Sequence, residues 1–217
     1  KTPVTVLTTH FKEKIMNKSS KLVRGIGFNS RHYPSRIDGK NVKEYNLWQG
    51  MLHRCTKEYW LEWSAYDGVT CSDDFKDYTF FYEWCNKQVG FGNADENGKS
   101  WQLDKDLLVK GNKIYNENVC VFVPQRINNL LIKSDACRGE LQVGVHRLAK
   151  GRGYIAKCNI GTGTQKYLGY FKTPQEAFQA YKTYKEALIK EVANEYKEQL
   201  DSRVYEALMN YEVNEND

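Results

Sequence analysis

Two aspartates separated by a single lysine form the spacing in this chain that most directly suggests chemistry. The stretch "WQLDKDLLVKGNKIYNENVCVFVPQRIN" spans residues 101–128 and places Asp104, Lys105 and Asp106 near its start. In a β-strand, residues i and i+2 project from the same face, so both carboxylates can approach one hard divalent cation. Such a cation polarises a phosphodiester and stabilises its leaving oxygen. The alternative is that both side chains lie in solvent on an edge strand.

The layout resembles a small metal-dependent nuclease site, and such sites normally place a histidine beside the first carboxylate, where this chain has Lys105. Activating water near neutral pH suits histidine, whereas lysine has an ordinary pKa of about 10.4 and more readily holds a phosphate as a point charge. The four histidines offer no obvious replacement, and we interpret His53, on a predicted helix, as structural: His10, His32, His53 and His146. The same unit therefore fits a working phosphodiesterase or a DNA-binding protein that retains only its scaffold.

Several asparagines surround the aspartates. They are Asn112, Asn116, Asn118, Asn128 and Asn129. Asparagine favours turns, and its carbonyl oxygen can also bind a metal ion. Asn128 is the best ligand candidate because it falls on a helix that follows the second strand, while most of the others are predicted turn formers.

The elements that must position these residues follow from apolar periodicity. We predict a strand over 102–108, a turn over 110–118, a strand over 119–123 and a helix over 124–131, which opens at a proline suited to a first helical turn. Two amphipathic helices precede this unit, one from about residue 45 and one from about residue 73 with Asp73 or Asp74 as its N-cap. Residues 1–45 read as a basic arm with one short hairpin at Asp38 and Gly39.

A second unit begins near Cys137 with three strand-like runs separated by glycine-containing turns. Alternation predicts one polar face and one face packed on a helix. The polar face would carry Lys157, Asn159, Gln165 and Tyr167, with His146 and Arg152 nearby; the packed face would carry Val145, Ile155, Cys158 and Leu168. The helix begins at Pro174, where Thr173 and Glu176 form a capping box, and a last short helix follows Asp201.

Charge is distributed unevenly along the chain. The net charge of +5 divides into +7 over residues 1–45, −3 over 46–136, +6 over 137–172 and −5 over 173–217. Two basic segments flanking an acidic middle predict surfaces that meet a polyanion. The alternative is a set of solvated charged faces.

Composition favours an ordinary globular protein. Hydrophobic residues make up 41% of the 217 residues, and no apolar run is long enough to cross a membrane. The six cysteines are widely spaced without a CxxC pair, so we interpret them as free thiols. A zinc site formed by Cys55, Cys71 and Cys120 is the alternative.

Three ordered blocks carry a family resemblance: "YNLWQGMLHRC", the aspartate-containing stretch above, and "YLGYFKTPQEAFQAYKTYKEALIKEVANEY" followed by "VYEALMNYEV". Across about residues 25–213 the chain resembles phage-encoded HNH/AP2-type endonucleases, which are homing-like enzymes. The resemblance implies an α+β protein containing an HNH-like ββα-metal unit and an AP2-like domain, in which a three-stranded antiparallel sheet reads the DNA major groove. It also implies the cytoplasm of a bacterial host as location.

Carried over by position, the resemblance assigns roles to individual residues. Asp104 and Asn128 would bind Mg²⁺ or Mn²⁺, with zinc as a secondary choice. Lys105 replaces the general-base histidine and would contact phosphate, Asp106 or a water on the cation would help to activate the nucleophile, and Asn118 is a candidate for the central motif asparagine. The DNA-binding candidates are Arg24, Arg31, His146, Arg147, Lys150, Arg152, Lys157, Asn159, Gln165 and Tyr167.

The sequence thus predicts four segments: a basic arm (1–45), an HNH-like unit with its preceding helices (46–136), an AP2-like domain (137–200) and a helical tail (201–217). The predicted function is sequence-specific binding of double-stranded DNA by a metal-dependent endonuclease. The alternatives are a catalytically inactive DNA-binding regulator and a structural zinc protein.

Overall fold

The structure is a computed structural model, and it describes residues 22–132 and 140–215 with every side chain in them except that of Lys150. Seven α-helices and nine short strands lie in these ranges, which confirms a mixed α+β chain. The predicted boundary near Cys137 lies outside the described residues.

Four helices build the N-terminal layer: α1 (Lys43–Arg54), α2 (Lys57–Glu62), α3 (Asp73–Lys76) and α4 (Tyr78–Lys87). Helices α1 and α4 are the predicted amphipathic helices, and their buried faces pack against each other. The predicted cap at Asp73 or Asp74 is wrong, because the segment forms two helices, capped by Ser72 and Asp77.

The described part of the basic arm is folded onto these helices. A hairpin of β1 (Arg36–Ile37) and β2 (Lys40–Asn41) turns at Asp38 and Gly39, whose φ angles of 49° and 75° suit a two-residue hairpin turn. Phe28 is buried and bridges to Asp77 at the start of α4. The hairpin prediction is confirmed, and residues from Val23 onward belong to the folded body.

The predicted strand–loop–strand–helix unit is present with shorter strands. Strand β4 (Gln102–Asp104) pairs antiparallel with β6 (Val121–Val123), and α5 (Gln125–Leu130) follows directly. The first strand ends at Asp104 instead of residue 108, because the Asp104 carboxylate accepts the backbone N–H groups of Asp106 and Leu107 and turns the chain. The loop contains β5 (Ile114–Tyr115), which pairs in parallel with β3 (Thr70–Cys71). Strands of two residues are too short for periodicity to predict.

The predicted meander is an antiparallel sheet in the order β7–β8–β9, formed by β7 (Val145–Arg147), β8 (Tyr154–Asn159) and β9 (Gln165–Phe171). Helix α6 (Pro174–Glu195) packs across one face of this sheet and begins at the predicted capping box. A β-bulge beside Ala156 and Lys157 leaves one extra residue on β9.

One continuous core joins the two units. Helix α7 (Ser202–Met209) packs on α6, and its Val204 and Leu208 belong to the same buried cluster as Trp48 and Phe122. Two polar contacts add to this junction: Arg126 forms an ion pair with Glu195, and Asn129 Nδ2 donates to Gly161 O at 3.2 Å. No helix in the described ranges combines the length and apolarity that crossing a membrane requires.

Close packing at Gly144 gives a test of how α6 is seated on the sheet. Gly144 has φ +78°, and a Cβ there would overlap the ring of Tyr181 on α6. Gly163 has a similar φ of +84° with open space around it. We expect Gly163→Ala to lower the free energy of unfolding by about 1–2 kcal/mol through backbone strain alone. Gly144→Ala should lose about 1–3 kcal/mol more through overpacking.

Urea unfolding of both variants measures the difference. Equal losses in the two variants would mean that Tyr181 yields freely and that α6 is not held at this point.

Candidate nucleic-acid interface and carboxylate site

The sheet turns one face toward α6 and the other toward solvent; we call the latter the outer face. Residues directly opposite each other on paired strands share a face. The register places His146 opposite Ile155, and Ile155 opposite Tyr170, which is 53% exposed. These three side chains form the first row of the outer face.

Two further rows contain the polar residues that the sequence singled out. Lys157 lies opposite Tyr167, which is 57% exposed, and Asn159 lies opposite Gln165. The structure therefore brings all four predicted residues onto one face, with His146 at the adjacent row. Tyr170 joins them because the bulge, with Leu168 as the extra residue, puts residues three apart on β9 on the same side. Sequence reasoning missed Tyr170, since strict alternation gives no such signal.

The prediction that Ile155 packs toward the helix is wrong. Alternation along β8 places it on the outer face with Lys157, while Ala156 and Cys158 are buried beneath α6. The other residues predicted for the packed face do contact the core: Val145, Cys158 and Leu168. Apolarity suggested a core position for Ile155, but the pleat of the strand decided otherwise.

The remaining DNA-binding candidates of this unit do not all lie on the outer face. Arg147 lies opposite Tyr154 and its guanidinium sits over that ring at 5.7 Å, so it belongs to the face opposite the outer one. Arg152 is exposed, and its backbone carbonyl accepts a hydrogen bond from the Tyr170 hydroxyl. The side chain of Lys150 lies outside the described residues.

Neighbouring groups set the chemistry of the outer face. Burial and the charge of Lys157 lower the pKa of His146, so that imidazole is neutral near pH 7. Asn159 is partly engaged, because its Oδ1 accepts from Gly161 N at 2.8 Å. Its backbone carbonyl accepts from the buried Lys185 ammonium at 3.1 Å, and burial lowers the pKa of that lysine. Gln165 is exposed and so is the freer amide.

Asp104 forms the centre of the second candidate site. Its side chain is 9% exposed, and Oδ1 accepts N–H groups from Asp106 at 2.9 Å and Leu107 at 2.7 Å. Burial raises the pKa of the Asp104 carboxyl to about 6, the nearby charge of Asp106 adds to the rise, and the two backbone donors oppose it. A buried carboxylate beside a second one is stabilised by a proton or a cation.

Asp106 and Lys105 complete this carboxylate site. The charge of Asp106 helps to raise the pKa of the Asp104 carboxyl, and the Lys105 ammonium contacts Asp106 Oδ2 at 3.1 Å. Only 11% of the Lys105 side chain is exposed, and its ammonium also lies 5.9 Å from the centre of the Tyr115 ring. The predicted pairing of the two carboxylates is present, but a turn after β4, instead of a continuous strand, brings them together.

Asparagine side chains hold the loop that follows. Asn112 Nδ2 donates to the carbonyls of Lys105 at 2.6 Å and Ile114 at 2.8 Å, which ties the backbone of Lys105 across the loop. Asn118, the candidate for the central motif asparagine, is held through its backbone: its N–H donates to Asn116 Oδ1 and its carbonyl accepts from Arg203. Asn112 was grouped with the turn formers, and its contact with Lys105 depends on how the loop closes.

The donor set suits a magnesium-like cation. Mg²⁺ in proteins is commonly held by one or two carboxylates together with water and substrate phosphates. Asp104 and Asp106 supply the carboxylates, and Asn128 is half-buried on α5, which packs against β4.

Across 22–132 and 140–215, no cluster of three or more His, Cys, Asp or Glu side chains is arranged to hold a metal ion. Of the three cysteines in the zinc alternative, Cys55 and Cys71 adjoin each other, and Cys120 is buried.

The other predicted site residues lie elsewhere on the molecule. Arg24 and Arg31 are exposed in turns of the folded arm, with positive φ angles of 52° and 61°. His53 packs edge-on against Tyr59, which supports its structural interpretation, and His32 packs against Tyr33. His10 lies outside the described residues.

Comparisons of the chain with protein-family models, with curated proteins and with solved structures give no significant match.

The buried carboxyl of Asp104 predicts a pH dependence of stability. Its pKa is raised from 3.8 to about 6 in the folded protein, so the folded state binds the proton more tightly than the unfolded state. The stabilisation of the folded protein by this tighter proton binding is complete below about pH 4, and it is lost as the pH rises through about 6. We expect Asp104→Asn, in EDTA, to gain about 2–3 kcal/mol of unfolding free energy relative to the parent between pH 4 and pH 7.

Urea titrations at several pH values compare the parent with Asp104→Asn and with Asp73→Asn, a control at an exposed ion pair. A parent–variant difference for Asp104 that stays constant from pH 4 to pH 7 would contradict the burial argument.

Proposed function

We propose that this protein binds double-stranded DNA through the outer face of its three-stranded sheet and nicks or cleaves it at the carboxylate site. The observation that carries the proposal is the clustering of Lys157, Asn159, Gln165 and Tyr167 on one solvent-facing surface of a sheet backed by a helix.

Major-groove recognition fits the chemistry of this face. The groove admits β-strands, and lysine and amide side chains distinguish base edges by their donor and acceptor patterns. Residues 137–172, which contain the sheet, have a net charge of +6, and phosphate neutralisation supplies much of the affinity for DNA. Helix α6 packs against all three strands, and the Lys185 ammonium on that helix donates to the Asn159 carbonyl, so the sheet is supported from its inner face.

Phosphodiester cleavage is the activity that the carboxylate site supports best. When bound, a divalent cation would polarise the scissile phosphate and stabilise the leaving oxygen. Asp104 and Asp106 would hold Mg²⁺ or Mn²⁺, with the Asn128 amide as a further oxygen donor. Lys105 would orient Asp106 through their ion pair and offer its charge to the phosphate, and Asn112 would fix the backbone that carries Lys105. Asp106, whose side chain stays half-exposed beside the site, would help to activate the attacking water.

One observation favours the second candidate function, a DNA-binding regulator with a silent site. The Lys105 side chain is largely buried and its ammonium is already paired with Asp106, so no histidine-like base stands at this position. In that case the scaffold positions the sheet while the chain leaves the phosphodiester intact.

Two lysines on neighbouring positions of the sheet give a matched test of DNA binding. Lys157 points to the outer face, whereas Lys166 lies on the helix side with its ammonium 4.8 Å from the Tyr184 ring centre. Both changes to alanine remove one positive charge. We expect Lys157→Ala to weaken duplex binding by about tenfold and to lower the salt dependence of affinity, with little change for Lys166→Ala.

Fluorescence anisotropy with a labelled duplex at several salt concentrations provides the measurement. Combining Lys157→Ala with Gln165→Ala should also reduce discrimination between sequences. Equal effects of the two single lysine changes would show that binding uses net charge and not the outer face.

Plasmid cleavage tests the carboxylate site. With Mg²⁺ or Mn²⁺ we expect nicked or linear DNA, no product in EDTA, and loss of at least about 100-fold in rate for Asp104→Ala, because that change removes the central cation ligand. Asp95→Ala, in a separate loop, is the control.

Duplex binding by Asp104→Ala is measured in parallel. Tight, sequence-selective binding without metal-dependent product in the parent protein would favour the regulator.

A further inference from the structure

An apolar side chain lies in the middle of the otherwise polar outer face. Ile155 is on the central strand β8, with His146 on one side and Tyr170 on the other. Its sequence neighbours Tyr154 and Ala156 point to the α6 side, so the Ile155 side chain projects toward solvent. A branched aliphatic group there has no hydrogen-bond donor or acceptor to offer a ligand.

The three rows of the outer face differ in chemical character. The first row, His146–Ile155–Tyr170, is the least polar of the three: its centre is an aliphatic group, burial lowers the pKa of the His146 imidazole, and the Tyr170 hydroxyl is already donated to the Arg152 carbonyl. The second row presents the ammonium of Lys157, and the third row presents amides. A ligand that matches this face therefore presents an apolar group to the first row, an anionic or acceptor-rich group to the second row, and hydrogen-bonding groups that pair with amides to the third row.

The major groove offers one apolar feature for such a row. Thymine is the base that exposes a C5-methyl group there, and apolar side chains recognise it by direct contact. The next row suits an acceptor-rich edge, which guanine supplies through O6 and N7. Two residues along a strand span about 6.8 Å, which is close to two base-pair steps of about 3.4 Å. Successive outer-face residues along β8 are thus separated by about the rise of two base pairs along the duplex axis.

We propose that Ile155 is a specificity-determining residue that contacts the C5-methyl group of a thymine about two base pairs from the pair read by Lys157. This inference rests on the proposed DNA-binding function and adds the chemical identity of one position in the target. Ile155 excludes water from the methyl group and leaves the wrong base without a partner at that step. Tyr170 and His146 flank the contact and close it on both sides.

Replacing thymine by uracil removes the methyl group and nothing else, so it isolates this contact. A preferred duplex is first selected from a randomised pool by the parent protein, and each thymine in it is then replaced singly by uracil. We expect one replacement to weaken parent binding by about fourfold, as for one buried methyl group. In Ile155→Ala the same replacement should have no effect, because the contact is already lost.

Two further variants keep the experiment interpretable. Ile155→Ser removes every side-chain methyl group at an outward-facing strand position, so it should fold and also lose sensitivity to uracil. Ile37→Ala, at an exposed strand residue on the N-terminal hairpin, should keep the parent response. Circular dichroism verifies that each variant is folded before its binding is measured.

The outcomes separate the two proposals. Sequence-selective binding in which uracil has the same effect on the parent and on Ile155→Ser would overturn the thymine contact and leave DNA binding intact. Failure of the parent to bind any duplex selectively would overturn both. Loss of uracil sensitivity in the Ile155 variants alone is the result that establishes the contact.

Discussion

Burial of the apolar stripe of α6 is the constraint on which the rest of the structure depends. This helix contacts all three strands of the sheet, the short helix α5 and the C-terminal helix α7. Its residues Ile189 and Val192 are almost completely buried in the cluster that also contains Phe122 of β6. Because one helix covers both the sheet and the strand–loop–strand–helix unit, the two candidate surfaces are held by a common core.

Contacts between α5, the β8–β9 turn and α6 connect the two candidate surfaces. Asn129 of α5 donates to Gly161 in the β8–β9 turn, and Arg126 of the same helix forms an ion pair with Glu195 of α6. A Cβ at Gly161 would meet the backbone carbonyl of Arg126, so the turn can approach α5 only as glycine. In the proposed function, this close contact fixes the separation between the face that reads DNA and the site that cuts it.

The carboxylate site shows how local and distant interactions combine. The Asp104 carboxylate both ends its strand and draws Asp106 back toward itself, a local turn. Its raised pKa, however, comes first from burial, which neighbouring elements produce. The resulting pair of close carboxylates is an unfavourable arrangement in water without a proton or cation, and such arrangements are frequent at functional sites.

Much of this architecture could be predicted from the sequence, because its causes are local. The capping box at Thr173 and the hairpin turn at Asp38 follow from side chains and backbone preferences within a few residues, and so do helix α6 and the three strands of the larger sheet. Likewise, alternation along β8 was enough to group Lys157 with Asn159. Only the tertiary structure decided that a bulge on β9 brings Tyr170 beside Ile155, that Asn112 reaches the backbone of Lys105, and that Asp104 is buried. Register, loop closure and desolvation depend on segments far apart in the chain, and no spacing within one segment encodes them.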